Sequence, residues 1–132
     1  MLEIRKVDTY YGSIHALKGV SLSIRPGEII TLIGANGAGK STTLMSICGI
    51  VPPRAGEIVF EGTSIERMPP DKIFALGIVQ VPEGRRIFPE LTVLENLQMG
   101  TYLRRDNPGI RKDLEYIFAL FPRLAERRGQ LG

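Results

Sequence analysis

A glycine-rich segment, GANGAGKS at residues 34–41, constrains the fold more than any other part of the chain. It matches the pattern G-x-x-x-x-G-K-[ST] at every fixed position. An apolar, β-branched run, Ile29–Ile33, precedes it, and Lys40–Cys48 is compatible with a helix that ends at Gly49. A strand, a glycine-rich turn and a helix in this order predict a phosphate-binding loop in an α/β protein. The alternative is a glycine-rich turn that happens to carry a lysine.

The residue types in this loop suit the binding of a polyphosphate. Glycines permit the backbone angles and the close approach with which successive N–H groups surround an anion, and the helix that follows directs its positive dipole end toward it. Lys40 is expected to reach the β- and γ-phosphates, and the Ser41 hydroxyl is expected to bind Mg²⁺. A GTPase is disfavoured because the sequence contains no Asn-Lys-x-Asp. The Asp-x-x-Gly at residues 106–109 follows no hydrophobic strand and is interpreted as a turn.

Hydrophobic periodicity predicts an α/β fold with two kinds of strand. Strands are expected at residues 2–7, 20–24, 29–33, 57–62 and 78–81, and helices at residues 40–48, 69–76, 93–102 and 110–120. The alternating strands predict an antiparallel layer, whereas the continuous apolar runs at 29–33 and 78–81 predict buried strands of a parallel core. Two parallel strands are too few to cover each other's apolar faces. We therefore expect exposed apolar surface and low solubility. Thr92 and Glu95 have the spacing of a capping box, and residues 107–109 are expected to break the chain before the last helix.

Composition and charge exclude several classes of protein. With 132 residues, of which 43% are hydrophobic and 23% charged, the composition is that of a globular protein. The net charge of +3 arises in residues 101–132, which carry seven basic and four acidic residues. Because these alternate with apolar residues at helical spacing, a solvated helix face is favoured and no nucleic-acid partner is expected. The single cysteine, Cys48, and an N-terminus without an export signal predict a cytoplasmic protein.

Two further segments give the sequence a family resemblance. Tyr11-Gly12, Ala16-Leu17 and Val20-Ser21-Leu22 precede the loop, and VPEGRRIFPELTVLENLQMG occupies Val81–Gly100. Together with the loop they resemble the ATP-binding subunits of ABC transporters, and the second segment is more narrowly similar to a subunit that energises branched-chain amino-acid import. The resemblance implies a P-loop NTPase core of the ABC nucleotide-binding type, with ATP and Mg²⁺ as cofactors.

The resemblance also implies how the chain is divided. Residues 1–132 are expected to be the N-terminal part of one ABC-type nucleotide-binding domain. An antiparallel β side layer is assigned to residues 1–33 and 56–66, the P-loop core to 28–50 and 70–83, and the start of a helical subdomain to 84–132.

Site residues follow from the same resemblance. The expected nucleotide-binding residues are Tyr11, Gly34, Ala35, Asn36, Gly37, Ala38, Gly39, Lys40, Ser41 and Thr42. Tyr11 corresponds to the aromatic residue that stacks on adenine in the family; Tyr10 is its rival, and a tyrosine of the antiparallel layer is the structural alternative. The family's glutamine that contacts Mg²⁺ and the attacking water is expected nine residues before Thr92, where this sequence has Glu83. Glu83 is therefore one candidate for the metal contact and for a catalytic role, and Gln80 is the other candidate for the metal contact.

Protein partners are implied as well. The loop Gly84–Pro89 and the helix that begins at Val93 resemble the surface that receives a cytoplasmic helix of integral-membrane permease subunits. Ile87 and Phe88, flanked by Arg85-Arg86, are candidate anchors, because aromatic residues and arginine dominate interface energies. The alternative is that Phe88 covers the local core. A second ATP-binding subunit, homologous or identical, is also implied, and so is a peripheral location on the inner face of the plasma membrane.

Hydrolysis of ATP in this family needs four parts that the sequence does not contain. They are an LSGGQ-like signature, an apolar strand that ends in Asp, the catalytic Glu after it and a switch His. The expectation is therefore an N-terminal fragment of a longer ATPase subunit that binds ATP without hydrolysing it. Two other hypotheses stay open. One is a regulatory ATP-binding module without turnover, and the other is a small-molecule kinase, for which Arg85-Arg86 is the nearby candidate for an arginine-bearing lid.

Overall fold

A computed structural model describes residues 1–84 and 86–132 as two compact units, Met1–Val81 and Pro82–Gly132. The first unit contains β1 (Leu2–Tyr11), β2 (Ile14–Ile24), α1 (Lys40–Ile47), β3 (Ala55–Phe60), β4 (Thr63–Ser64) and α2 (Pro70–Ala75). The second unit contains α3 (Val93–Met99), α4 (Asn107–Leu120) and α5 (Pro122–Glu126). Within the described residues, no helix has the length and apolar character needed to cross a bilayer.

The first unit is built on an antiparallel sheet with the strand order β2-β1-β3-β4. The predicted strands at 2–7 and 20–24 lie in this sheet, and so do residues 57–60, so the predicted antiparallel layer is confirmed; Glu61 and Gly62 form the turn between β3 and β4 instead of the end of a strand. Strands β1 and β2 extend further than the alternating pattern indicated and meet at the pair Tyr11 and Ile14. The buried apolar residues of the core are Ile4, Val7, Leu17, Ile47, Ile58, Ile65 and Ile73.

A β-bulge in β1 decides which side chains enter this core. The register with both neighbouring strands shifts beside Lys6, whose φ is 48°. Ile4 and Val7 are three residues apart and would face opposite sides of a regular strand, but the bulge buries both. On β3, Gly56 has a φ of 89°, and a Cβ atom there would lie 2.4 Å from the carbonyl oxygen of Lys6. The close approach of β3 to the bulge therefore requires glycine at position 56.

The two apolar segments predicted as parallel strands lie outside the sheet, so this prediction is wrong. Residues 29–33 and 78–81 carry no strand pairing, and Ile29 and Ile33 are 95% and 92% exposed. Their composition suits a strand buried on both faces, but a parallel strand forms only where another strand pairs with it. No described segment pairs with either of them. The exposed apolar surface expected at these segments is confirmed.

Helix positions agree with the sequence pattern except at some ends. Helix α3 ends at Met99 rather than at residue 102, and α4 begins at Asn107 rather than at residue 110. Residues 107–109 thus form the first turn of α4 instead of a break, because a proline in the first turn needs no N–H partner. The short helix α5 was not predicted. The capping box is confirmed: the Thr92 hydroxyl accepts from the Glu95 amide at 3.2 Å, and the Glu95 carboxylate accepts from the Thr92 amide at 2.7 Å.

Candidate nucleotide-binding site

Residues 34–39 form a loop between the segment 29–33, which has no regular secondary structure, and the start of α1. Gly37 and Gly39 have φ values of 83° and 90°, in the left-handed region that favours glycine. The Ala38 amide donates to the Ala35 carbonyl at 3.1 Å, which closes a turn inside the loop. The loop therefore has the compact, glycine-dependent backbone that the motif predicted.

The Lys40 side chain returns across this loop. Its ammonium donates to the carbonyl oxygens of Gly34 at 2.7 Å and of Ala35 at 2.9 Å. An ammonium has three protons, so one remains without a partner among the described residues. The two carbonyls thus fix a positive charge at the loop and leave one of its donors for an anion.

Helix α1 begins without a side-chain cap. Gly39 is the N-cap residue, and its carbonyl accepts from the amide of Thr43 at 2.8 Å and from the Thr43 hydroxyl at 2.9 Å. No acidic residue lies in the first turn. Because the first amides of a helix have no partner within it, this end of α1 can donate to a phosphate, and the helix dipole favours the negative charge. Ser41 is exposed in this turn, whereas Thr42 is buried.

Tyr11 lies next to the start of α1. Its hydroxyl is 3.4 Å from the hydroxyl oxygen of Thr42 and 3.6 Å from the sulfur of Met45, and 43% of its surface is exposed. Tyr10, the rival, has other partners: His15 stacks on its ring at 4.1 Å between centroids, and the Arg54 guanidinium lies 4.5 Å from the ring centroid. Of the two tyrosines, Tyr11 is the one beside the phosphate loop's helix with an open ring surface.

The residues available for Mg²⁺ are few. No group of three or more His, Cys, Asp or Glu side chains among the described residues could hold a metal ion. Mg²⁺ is commonly bound by one or two protein side chains, while substrate phosphates and waters supply its other ligands. The exposed Ser41 hydroxyl at the loop suits this arrangement.

The two candidates for a further metal contact fall in different units. Gln80 belongs to the first unit, and its amide oxygen is buried without a hydrogen-bond partner in the described part of the chain. Glu83 belongs to the second unit and is exposed. The structure brings Tyr11, the loop and α1 together in the first unit.

The second unit contains an apolar groove of about 380 Å³. It is lined by Arg86, Ile87, Phe88, Val93, Asn96, Leu97, Leu124 and Gly132. The Asn96 amide group holds the wall of this groove: its oxygen accepts from the Phe88 amide at 2.8 Å, and its nitrogen donates to the carbonyls of Phe88 and Leu91 at 3.0 and 3.1 Å. The backbone at Phe88 is thus fixed, while its ring is 53% exposed and Ile87 is 49% exposed. Phe88 does not serve mainly to cover the local core. Arg85, the other predicted flanking residue, lies outside the described residues.

A glycine-dependent loop, a lysine held across it and an uncapped helix start define a phosphate-binding loop of the nucleotide-binding class. Residues 17–129 match the family described as ABC transporter. The chain therefore belongs to the ABC transporter family.

Two curated relatives show how far this similarity extends. The chain is 48% identical over 130 residues to the high-affinity branched-chain amino acid transport ATP-binding protein BraG of Pseudomonas aeruginosa, which covers 98% of this chain and 55% of BraG. It is 38% identical over 100 residues to a ribose import ATP-binding protein of Rhizobium meliloti, which covers 76% of this chain and 20% of that protein. The chain thus spans about half the length of the first relative and a fifth of the second.

Solved structures confirm the expected fold class. An ATP-binding subunit of an ABC transporter aligns with a TM-score of 0.83 at 29% identity over 99% of this chain and 54% of its own. A dimeric ATP-binding cassette in a post-hydrolysis state, bound to ADP and Pi, aligns with a TM-score of 0.70 at 28% identity over 85% of this chain and 53% of its own. The described chain is an α/β structure of the ABC nucleotide-binding type with an antiparallel β layer.

Some functional features were not predicted from the sequence. The hydrogen bonds from the Lys40 ammonium to the carbonyls of Gly34 and Ala35 were not predicted, because the motif indicates a phosphate contact for the lysine and not a contact within the loop. The Asn96 contacts were also missed, although a signal existed: Asn96 lies four residues after the N-cap Thr92, within reach of the open carbonyls of the preceding loop.

Proposed function

We propose that this chain is part of the ATP-binding subunit of an ABC importer that couples ATP binding and hydrolysis to the transport of branched-chain amino acids. The observation that carries the proposal is the 48% identity to BraG over 98% of the chain. Identity to the ribose import relative is lower, 38%, and covers 76% of the chain. The segment Val81–Gly100 supports the same substrate class through its resemblance to branched-chain importer subunits.

The nucleotide would be held by the loop and α1. The proposed nucleotide-binding residues are Tyr11, Gly34, Ala35, Asn36, Gly37, Ala38, Gly39, Lys40, Ser41 and Thr42. Backbone amides of the loop and of the first turn of α1 donate to the phosphates, and the free proton of Lys40 donates to the β- or γ-phosphate. The Tyr11 ring supplies a face for the adenine, since its hydroxyl already lies beside Thr42.

Mg²⁺ would be bound by the Ser41 hydroxyl together with phosphate oxygens. It neutralises charge that develops on the phosphates during transfer. Gln80 is a candidate for a further contact, because its buried amide oxygen has no partner in the described residues. Glu83 is the candidate that the family resemblance favours. A carboxylate there would bind Mg²⁺ more strongly than an amide but would repel the γ-phosphate.

Residues 84–132 would begin a helical subdomain, and the groove of the second unit would be the docking surface for the permease. An apolar groove with exposed Ile87 and Phe88 and with Arg86 on its wall fits the apolar face of a helix that also carries a carboxylate. Docking there would place the subunit on the inner face of the plasma membrane. A second ATP-binding subunit, homologous or identical, would complete the assembly; one structural neighbour, an ATP-binding cassette, is a dimer.

The first experiment tests nucleotide binding. Titration calorimetry with Mg-ATP should give saturable binding to the chain, and Lys40→Ala should weaken it by about tenfold or more, since a charged hydrogen bond contributes roughly 1.5–3 kcal/mol. Lys18→Ala is the matched control, because Lys18 is an exposed lysine of β2. Equal affinity of the two variants would contradict the proposal.

Turnover is tested with the same proteins. We propose that the 132 residues bind ATP without hydrolysing it, because they contain the phosphate-binding loop but neither the signature segment nor an apolar strand that ends in Asp with the catalytic Glu after it. Release of phosphate from Mg-ATP by the purified chain, abolished in Lys40→Ala, would contradict this part of the proposal. Absence of release together with saturable binding would support it.

The docking proposal is tested by co-purification with the membrane subunits of a branched-chain amino acid importer in detergent. Phe88→Ser should reduce recovery of the complex several-fold, because an exposed aromatic anchor would be lost. Tyr116→Ser on α4 is the control, since Tyr116 is an exposed aromatic residue that does not line the groove. Unchanged recovery with Phe88→Ser would contradict the assignment of the groove.

A further inference from the structure

The hairpin between β1 and β2 sets one exposed aliphatic residue directly beside Tyr11. Tyr11 and Ile14 are the last pair of the antiparallel register, and only Gly12 and Ser13 separate them along the chain. Directly opposed residues of antiparallel strands project to the same face, with Cβ atoms about 4.5–5.5 Å apart. The φ of 60° at Gly12 allows the tight turn that keeps this pairing.

Both side chains of this pair are open to solvent. Ile14 is 68% exposed and Tyr11 is 43% exposed. The Tyr11 hydroxyl is held near Thr42 and Met45 of α1, so the ring is fixed at that edge. An exposed isoleucine beside a fixed aromatic ring forms a small apolar surface close to the helix that begins the phosphate site.

The preceding residue pair has no such surface. Tyr10 is paired with His15, and these two rings stack on each other with an interplanar angle of 8°. The Arg54 guanidinium also lies over the Tyr10 ring, and Nε2 of His15 is hydrogen-bonded to Oδ1 of Asp8 at 2.6 Å. Tyr10 and His15 are therefore occupied by protein partners, whereas Tyr11 and Ile14 are not covered to the same extent.

We infer that Ile14 is a base-contacting residue that forms, with Tyr11, a two-residue apolar platform for the base of the bound nucleotide. This inference rests on the proposed function, since the phosphates must be held by residues 34–41 for the base to reach the platform. Tyr11 offers its ring for stacking, and Ile14 offers methyl groups that lose contact with water when the base covers them. Neither residue of the platform takes part in phosphate binding.

The test compares two ligands that differ in the base. Affinities for ATP and for inorganic tripolyphosphate are measured by calorimetry for the unchanged chain, Ile14→Ser and Ile14→Val. Ile14→Ser should weaken ATP binding about five- to tenfold and leave tripolyphosphate binding unchanged, because only the base contacts the platform. Ile14→Val keeps most of the apolar surface and should bind ATP within about twofold of the unchanged chain. Ile50→Ser, which removes an isoleucine that is 57% exposed beyond the far end of α1, should leave both affinities unchanged.

The outcomes separate the inference from the proposed function. The role of Ile14 would be overturned if Ile14→Ser bound ATP as tightly as the unchanged chain, or if it lost affinity for ATP and for tripolyphosphate equally. Neither result would contradict the binding of phosphates by residues 34–41. If the unchanged chain binds neither ligand, the proposed function fails, and the platform fails with it.

Discussion

Gly39 and Leu17 lie so close together that a Cβ atom on the glycine would be 2.7 Å from Cδ2 of the leucine. Leu17 is a buried core residue of β2, so the phosphate loop packs directly against the hydrophobic core of the antiparallel sheet. The geometry of the loop is therefore coupled to the packing of that core. This relationship leads to a first prediction about stability.

Gly39→Ala should lower the free energy of unfolding by about 2 kcal/mol or more, because it adds a clash with Leu17 to the cost of a left-handed backbone. Gly37→Ala is the matched control: its φ is 83°, and a Cβ atom there would meet nothing within 4 Å. Only the backbone cost of about 1–2 kcal/mol applies to it. Urea denaturation of both variants measures the difference. Equal destabilisation would show that the loop does not press on the core.

A second prediction concerns the β-bulge. Gly56→Ala should destabilise the chain by about 3 kcal/mol or more, since the new methyl group would lie 2.4 Å from the Lys6 carbonyl and neither backbone can withdraw easily. Gly62→Ala, at a φ of 81° with no atom within 4 Å, should cost about 1–2 kcal/mol. Thermal unfolding followed by circular dichroism ranks the two variants. The same midpoint for both would contradict the close approach at the bulge.

The buried hydroxyl pair of Thr9 and Ser46 carries a third prediction. The two oxygens are 2.9 Å apart and join β1 to α1 inside the core. Thr9→Val or Ser46→Ala alone should cost about 1–3 kcal/mol, because each leaves one buried hydroxyl group without its partner. The double variant should cost less than the two single changes added together, by about 1 kcal/mol. Strict additivity in urea denaturation would argue against the hydrogen bond.

The capping box of α3 gives a fourth prediction, which concerns pH. Hydrogen bonds from the Thr92 side chain and from its backbone amide lower the pKa of Glu95. The folded state thus favours the ionised carboxylate, and its contribution to stability is complete above the usual carboxyl range and is lost as pH falls through the lowered pKa. In Thr92→Val the pKa of Glu95 should rise toward its usual range, and the free energy of unfolding should fall by about 1 kcal/mol.

Carbon-13 NMR of the Glu95 carboxyl group measures this shift directly. Thr92→Ser retains a hydroxyl at the N-cap and is the control, so its Glu95 should titrate as in the unchanged chain. A carboxyl titration that is the same in Thr92→Val and Thr92→Ser would show that the hydroxyl does not stabilise the ionised form.

Features set by local chemistry were predictable from the sequence. The phosphate loop and its helix depend on glycines and on residues that are neighbours in the chain, and the capping box depends on residues three apart. That residues 29–33 lie outside the sheet could not be predicted in this way. Their apolar residues indicate that a buried position would suit them. A strand forms, however, only where a second segment supplies hydrogen bonds.

The candidate site shows the same division between local and tertiary information. Lys40 and Ser41 were identified from the motif alone. Which of Tyr11 and Tyr10 lies beside α1 depends on which face of β1 that helix covers, and alternation along a strand does not reveal this. The surface around Ile14 depends on the register of β1 and β2, which the hairpin turn determines.

The unpaired segment 29–33 has a consequence for amide hydrogen exchange. Its backbone amides donate no hydrogen bond within the described chain, while those of β1 are held between β2 and β3. Amides of 29–33 should therefore exchange with deuterium almost as fast as in a free peptide, and those of β1 only when the sheet opens. The phosphate loop follows the fast segment directly. Bound triphosphate should thus appear as slower deuterium uptake that begins at Gly34 and leaves the β1 amides unaltered.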